Sequence, residues 1–238
     1  MSLAPLLRPL LEFDAALLAN TLLYIDPTPA EEIYLGGSIQ CQTPGYGPMI
    51  GVAVTCELDS SSPGGTNNMD AYFEQLDRIR EVGAPVVWVV KTIGSRPDHE
   101  CVLGDGMAKL LYAAGCIGVV TDGGLRDVAG FASVPFHAFS RGRVIHHTPY
   151  RFGKFNVPVT IGGLTILPGD VLHGSAEGVI RIPKASLPSL PERAAKMRAF
   201  ENEAHFIFRH PDLPPRVKSA QVGELLVQYG FAKAKPAR

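Results

Sequence analysis

Gly115-Cys116-Ile117-Gly118-Val119-Val120-Thr121-Asp122-Gly123-Gly124-Leu125-Arg126-Asp127 is the stretch whose reading decides the fold. Its first half, Cys116–Thr121, is a short apolar, β-branched run, as expected of a strand covered on both faces. A helical pattern precedes it, with Met107, Leu110, Leu111 and Ala114 on one face and Gly115 as the stop. The same unit occurs once more upstream. There Asn67 or Asn68 can cap a helix carrying Tyr72, Leu76, Ile79 and Val82, Gly83 ends it, and the apolar strand Pro85–Lys91 follows. Before that helix come a strand over Ile50–Glu57 and a loop over Ser60–Asn68, whose three serines, proline and two glycines make it a candidate for mobility. Helices alternating with buried strands predict an α/β fold.

The flanks differ from this centre. Leu6, Leu7, Leu10, Leu11, Ala15, Leu18 and Leu22 recur at helical spacing and predict an amphipathic helix or helix pair packed as an N-terminal arm. From Phe136 onward the pattern turns to short strands, over Val157–Ile161, Leu164–Ile166, Asp170–Leu172 and Gly178–Ile182. Leu187–Phe208 then reads as a long surface helix with Arg193, Lys196, Arg198, Glu201 and Glu203, and Val217–Tyr229 as a second helix. With no internal repeat, the expectation is one mixed domain over residues 1–238: a helical arm to about 45, a core over about 46–185, and C-terminal helices over about 186–238.

Composition narrows the function classes. With 238 residues, 46% hydrophobic and 19% charged, the chain can bury a sizeable core and is not a disordered tail. Twenty-two Lys and Arg against 23 Asp and Glu leave a formal charge of −1, which provides no global field for gripping phosphates, so no nucleic-acid partner is expected. The four cysteines, at 41, 56, 101 and 116, form no C-x-x-C pair and read as reduced core residues. The apolar stretch Leu3–Ile25 is interrupted by Arg8, Glu12 and Asp14 and is followed by no cleavage signature. The run Pro85–Val90 is far short of the roughly 20 residues of a membrane span. A cytoplasmic protein without a membrane partner is the expectation.

The chemistry concentrates in Thr121–Asp127. Polar residues at the end of a buried strand are where α/β folds place their sites. Two acids, an arginine and two glycines in seven residues are costly to order without a purpose, because like charges repel and glycine loses entropy. Spacing alone leaves open the alternative of a turn and helix cap, with Asp122 or Asp127 capping and Arg126 in a surface pair. Upstream, Leu103-Gly104-Asp105-Gly106-Met107 opens a helix, where free N–H groups and the dipole favour an anion; a carboxylate could dock on the amides of Gly106 and Met107. Asp105 and the Arg126-Asp127 pair bracket one helix and one strand in the pattern D-x20-R-D.

With these residues the chain resembles the RraA-like family, which includes 4-hydroxy-4-methyl-2-oxoglutarate and 4-carboxy-4-hydroxy-2-oxoadipate aldolases. Three pieces carry the resemblance: Gly47-Pro48-Met49-Ile50-Gly51-Val52-Ala53-Val54-Thr55; Gly104-Asp105 with residues 115–127; and Pro168-Gly169-Asp170 with Gly178-Val179-Ile180 and Pro183. It spans roughly residues 45–185, and the central piece is the specific one. The resemblance implies a compact β/β/α swivelling-type domain with helical extensions, assembled as homotrimers or homohexamers with sites between subunits. It implies that Asp127 binds a divalent ion, Mg²⁺ or Mn²⁺, that Arg126 contacts a small 2-oxo acid, that Asp105 orients a water for proton transfer, and that the amides after it, Gly106 and Met107, hold the substrate carboxylate beside Gly104. An acid from a neighbouring subunit's C-terminal helix assists in some relatives, and Glu201 or Glu203 could serve here. Members without the acids act as regulators that bind a ribonuclease, so keeping Asp105, Arg126 and Asp127 favours an enzyme.

The chemistry agrees with that assignment. Mg²⁺ keeps several waters and needs few protein carboxylates when a substrate supplies oxygens. Breaking the C3–C4 bond of a 2-oxo acid leaves a pyruvate enolate, whose charge a cation and the planar arginine fork can stabilise. Decarboxylating oxaloacetate gives the same enolate. The expected activity is therefore a metal-dependent aldolase or decarboxylase that releases pyruvate, the rival being a regulatory protein-binding oligomer. Other polar residues read blandly. Lys91 at a strand end reads as a snorkelling lysine rather than a Schiff base, Asp98-His99-Glu100 as a loop charge cluster, His146-His147 as lacking a ligand partner, and His137 as a satisfied strand histidine. His173 is the one histidine to test. No G-x-G-x-x-G follows a strand, so neither a Rossmann nucleotide site nor S-adenosylmethionine transfer is supported.

Overall fold

The computed structural model describes residues 3–232; residues 1–2 of the expected arm and 233–238 of the expected C-terminal region lie outside them. The N-terminal segment is a helix pair, α1 (Ala4–Leu7) and α2 (Ala15–Ile25), joined by a 3-10 turn over Arg8–Glu12. Asp14 starts α2, its carboxylate accepting from the Leu17 N–H at 2.8 Å. Then come β1 (Gln40–Cys41), β2 (Met49–Asp59), α3 (Met69–Glu81), β3 (Val86–Thr92), β4 (Cys101–Leu103), α4 (Asp105–Ala113), β5 (Cys116–Thr121), β6 (Gly124–Leu125), β7 (His137–Ser140) and β8 (Gly142–Arg143). The remainder is β9 (Arg151–Phe155), β10 (Val159–Ile161), β11 (Leu164–Ile166), β12 (Val171–Ser175), β13 (Gly178–Ile182), α5 (Leu190–Arg209) and α6 (Pro215–Gln228).

The main sheet runs β1-β7-β5-β3-β2-β12-β13, with β9 on the far half of β2. Its centre, β2-β3-β5-β7, is parallel, and its edges are antiparallel. The central strand β3 shows why: Val86, Trp88 and Val90 pack under the helices while Val87 and Val89 face the β10–β11 hairpin, so every position from 86 to 90 is buried. Gly162 and Gly163, both at positive φ, supply the two-residue turn that this hairpin needs. Hairpin, sheet and helices form the β/β/α layering of the expected α/β fold. Helices α3 and α4 cover one part of the helical face, and α1, α2 and α5 cover the part over β12 and β13.

Several sequence expectations shift in detail. Asn68 sits at the start of α3 but does not cap it; its amide pairs with both backbone groups of Phe152 on β9. Leu110 and Val82 are exposed, since the apolar stripes of α4 and α3 are narrower than their hydropathy. The long helix α5 is no mere surface helix. Leu190, Ala194, Met197, Phe200 and Ala204 are buried on its inner side, and α5 packs on the N-terminal pair. Three short strands, β4, β6 and β8, form a second parallel sheet that the sequence pattern does not disclose. None of the described helices is long and apolar enough to cross a membrane. All four cysteines are free.

Candidate active site

The second sheet builds the site. Strands β4 and β6 run parallel with Leu103 beside Leu125, and the Arg126 N–H donates to the Leu103 carbonyl at 3.1 Å. Gly104-Asp105 and Arg126-Asp127 therefore leave two paired strands side by side, although 20 residues separate Asp105 from Arg126 in the chain. Each strand then opens a helical segment, α4 after β4 and a 3-10 helix over Val128–Ser133 after Asp127. In α4 the hydrogen-bond ladder begins with Ala108 N–H on the Gly104 carbonyl, so the first-turn amides of Gly106 and Met107 have no backbone acceptor, and the Gly106 N–H turns to the Asp105 carboxylate.

The contacts there are close. A Cβ on Gly104 would lie 2.9 Å from Asp127 Oδ2 and 3.2 Å from Arg126 Nε, so only a glycine lets both side chains fold over the start of α4. Asp127 is left-handed, at φ 54 and ψ 30, a conformation uncommon outside glycine and concentrated at functional corners. Its carboxylate is 55% exposed and meets only Arg126 Nε at 3.5 Å; it caps nothing. Arg126 Nε is itself buried with no hydrogen-bond partner, and Nη1 lies 3.4 Å from His146 Nδ1. Asp105 packs against Gly130, whose N–H donates to the Asp127 carbonyl at 2.8 Å, and accepts from Lys109 at 2.7 Å. The Lys109 ammonium, the Gly106 N–H and the Arg126 charge hold the Asp105 carboxyl below the usual carboxylate range against the opposing effect of slight burial.

The remaining polar residues sort differently. Asp122 is no cap: it pairs with Lys91 and accepts from the Thr92 N–H at 2.8 Å and the Thr92 hydroxyl at 3.0 Å. Lys91 is thus a partnered strand-end lysine. Glu100, expected in a solvated charge cluster, is fully buried and accepts from Ser60 N–H at 2.8 Å, Ser60 Oγ at 2.5 Å and Gly94 N–H at 2.6 Å. His173 is buried on β12 under the N-terminal turn, and burial pushes it down to about 4. Glu201 accepts from Asn20 at 2.9 Å, and Glu203 from the Tyr229 hydroxyl, so within this chain both belong to the helical layer. Sequence reasoning missed the approach of His146 to Arg126; a histidine doublet twenty residues downstream carries no periodic signal.

The matches to known proteins follow this geometry. The model of the RraA-like family, described as Aldolase/RraA, matches residues 30–181, more than half of the chain. The chain belongs to the RraA-like family. Over 95 residues it is 39% identical to a Halalkalibacterium halodurans protein named "Putative 4-hydroxy-4-methyl-2-oxoglutarate aldolase", covering 40% of this chain and 44% of that one. The chain spans about half the length of the curated relatives it matches. An uncharacterized protein of Pseudomonas syringae pv. tomato superposes with a TM-score of 0.68 at 22% identity, covering 96% of both chains. A Streptomyces coelicolor protein described as an unusual member of the RNase ES inhibitor RraA family gives 0.64 at 22% identity, covering 84% of this chain and 96% of that one. These two structures share the fold.

Proposed function

We propose that the corner where β4 and β6 end is the active site of a carbon–carbon lyase that acts on small 2-oxo acids and releases pyruvate. The observation that carries the reading is the junction itself: an open carboxylate on Asp127, a buried guanidinium nitrogen on Arg126 without a hydrogen bond, and first-turn amides on α4 without a backbone acceptor, delivered to one corner by two paired strands. The named aldolase relative gives the reaction class.

Asp127 fits a divalent ion of the Mg²⁺ or Mn²⁺ type. Its oxygens accept no hydrogen bond among the described residues, and a strongly hydrated cation needs few protein carboxylates. When bound, such an ion supplies Lewis-acid polarisation of the substrate's keto group. The amides of Gly106 and Met107 take the C1 carboxylate at the positive end of α4. Arg126 holds the C2 oxygen and stabilises the charge that grows there as the C3–C4 bond breaks. In a 4-hydroxy substrate, the C4 hydroxyl passes its proton to the water that Asp105 orients and C4 leaves as a carbonyl; in oxaloacetate it leaves as carbon dioxide. Asp105, kept ionised by Lys109, orients the water that returns a proton to C3. The same reading includes a homotrimer or homohexamer with the site at a subunit interface, and Phe206 and Phe208, exposed on α5, give an apolar surface for it.

Pyruvate release from oxaloacetate, assayed with Mg²⁺ and then with EDTA, tests the proposal. Turnover that is lost on chelation and restored by added Mg²⁺ is the expected result. Turnover that survives chelation removes the metal from the mechanism, and no turnover of either oxaloacetate or a 4-hydroxy-2-oxo acid leaves the regulatory, protein-binding alternative.

A further inference from the structure

The edge of the main sheet has a gap. Strand β12 pairs with β2 over Met49–Val52 and β9 pairs with it over Cys56–Asp59, so residues 53–55 of β2 have neither strand beside them. Two loops cross there instead. Asn156, left-handed at φ 50, donates its N–H to the Thr55 carbonyl, and Gly169, at φ 85, donates to the Ala53 carbonyl. A cavity of about 270 Å³ remains between α3, this part of β2 and the two loops. Val52 and Val54 of β2, Val82 at the end of α3, Phe155 and Pro168 make its walls apolar. No carboxylate lines it, and none of its lining residues belongs to the β4–β6 corner.

Its strongest polar groups come from one stripe of α3. Gln75, Arg78 and Val82 stand at i, i+3 and i+7, the spacing of a single helix face. Gln75 is 1% exposed, and the orientation of its amide is fixed: the Trp88 indole N–H, which can only donate, reaches Gln75 Oε1 at 3.0 Å. The NH₂ end is therefore the one left over, and Nε2 is buried with no acceptor among the described residues. A buried amide in that state costs stability until an acceptor arrives. Arg78 is the one charged residue that lines the cavity. Glu74 stands four residues before it, in the favourable order for an ion pair along a helix, yet among the described residues Arg78 pairs with no acid. A buried amide donor and an unpaired guanidinium beside apolar walls, with no counter-charge, suit an anion carried on an apolar body.

We propose that this cavity is a second ligand site, for a small monocarboxylic acid whose oxygens are taken by the Arg78 guanidinium and the Gln75 amide. Its volume limits the apolar body to about four to six carbons. The proposal stands whether or not the β4–β6 corner is a lyase site.

Trp88 is the single tryptophan of the chain and is bonded to Gln75, so its indole N–H resonance in ¹H–¹⁵N NMR reports on the cavity. EDTA in the buffer keeps divalent ions from the other site. 4-Methylpentanoate should shift that resonance saturably, with a Kd below about 10 mM. 4-Methylpentanamide, which has the same shape without the charge, and acetate, which lacks the apolar body, should each bind at least about tenfold more weakly. Arg78→Gln should weaken the acid about tenfold and leave the amide within about twofold. Val82→Phe, which fills the cavity, should weaken acid and amide alike. Both positions are exposed, so the variants will fold, and both leave the Trp88–Gln75 bond in place. No saturable shift with the acid, equal affinity for acid and amide, or an affinity for the acid unchanged in both variants overturns the assignment.

Discussion

Asp122 follows β5 and Asp127, five residues on, follows β6, and the fold treats them in opposite ways. Asp122 has its oxygens filled by Lys91 and by both the backbone and side chain of Thr92, tying the end of β5 to the end of β3. Asp127 has a strained backbone, an exposed carboxylate and one long contact to Arg126. A saturated carboxylate holds strands together. An unsaturated one in a left-handed conformation is held in place by its surroundings for a ligand that the chain does not itself provide.

The largest effect is expected from exchanging their roles. Asp127→Asn keeps size and tolerance of positive φ while removing the charge, so stability should stay within about 0.5 kcal/mol and metal-dependent pyruvate release should fall about 10²–10³-fold. Asp122→Ala should behave inversely, strips the acceptors of Thr92 and Lys91 and costs about 2–3 kcal/mol of stability, with little loss of rate per folded molecule. Urea unfolding and initial rates on the same preparations check both. The contrast breaks if Asp122→Ala is as inactive as Asp127→Asn while remaining as stable as the parent.

The sequence discloses one of these two acids better than the other. The D-x20-R-D spacing is legible because a helix and a strand of ordinary length fit between Asp105 and Arg126, and the expected strands at Cys116–Thr121, Leu164–Ile166 and Gly178–Ile182 coincide with β5, β11 and β13. What joins the two arms is not legible. Strands β4, β6 and β8 are two or three residues long, too short for any period, and only their pairing sets Leu103 beside Leu125. Glu100 is hidden for a similar reason: a carboxylate among Asp98 and His99 reads as solvated, and its burial depends on Ser60 and Gly94, which arrive from other strands. Local pattern records which elements form, whereas tertiary pairing decides which polar groups become saturated.

Asp105 sharpens the comparison as an intermediate case, ionised by Lys109 yet 37% exposed. Asp105→Asn should lower turnover about 10–10²-fold through proton return while leaving Mg²⁺ affinity within about twofold. Solvent exchange into the pyruvate methyl, followed by NMR in deuterated water, distinguishes this from damage to the metal site: slowed proton return leaves enolate formation and raises the share of label acquired after release from the enzyme. Unchanged turnover would remove Asp105 from the mechanism.

The smallest effect separates a glycine that makes room for the site from one that makes room for the sheet. Gly104 lies at φ −118, an ordinary extended conformation, and its new Cβ would meet side-chain atoms alone, Asp127 Oδ2 and Arg126 Cγ and Nε. Gly118 faces the His137 backbone carbonyl, which a Cβ would approach to 2.7 Å inside the parallel sheet. Side-chain ends can swing aside and paired backbone cannot. Gly104→Ala should therefore cost at most about 1 kcal/mol, the weaker cap included, yet reduce turnover about tenfold by displacing the two groups. Gly118→Ala should cost about 1–3 kcal/mol through overpacking and leave the rate per folded molecule unchanged. If Gly104→Ala retained full activity, Arg126 and Asp127 would not need the positions that the glycine allows them, and the corner would lose its claim to the chemistry.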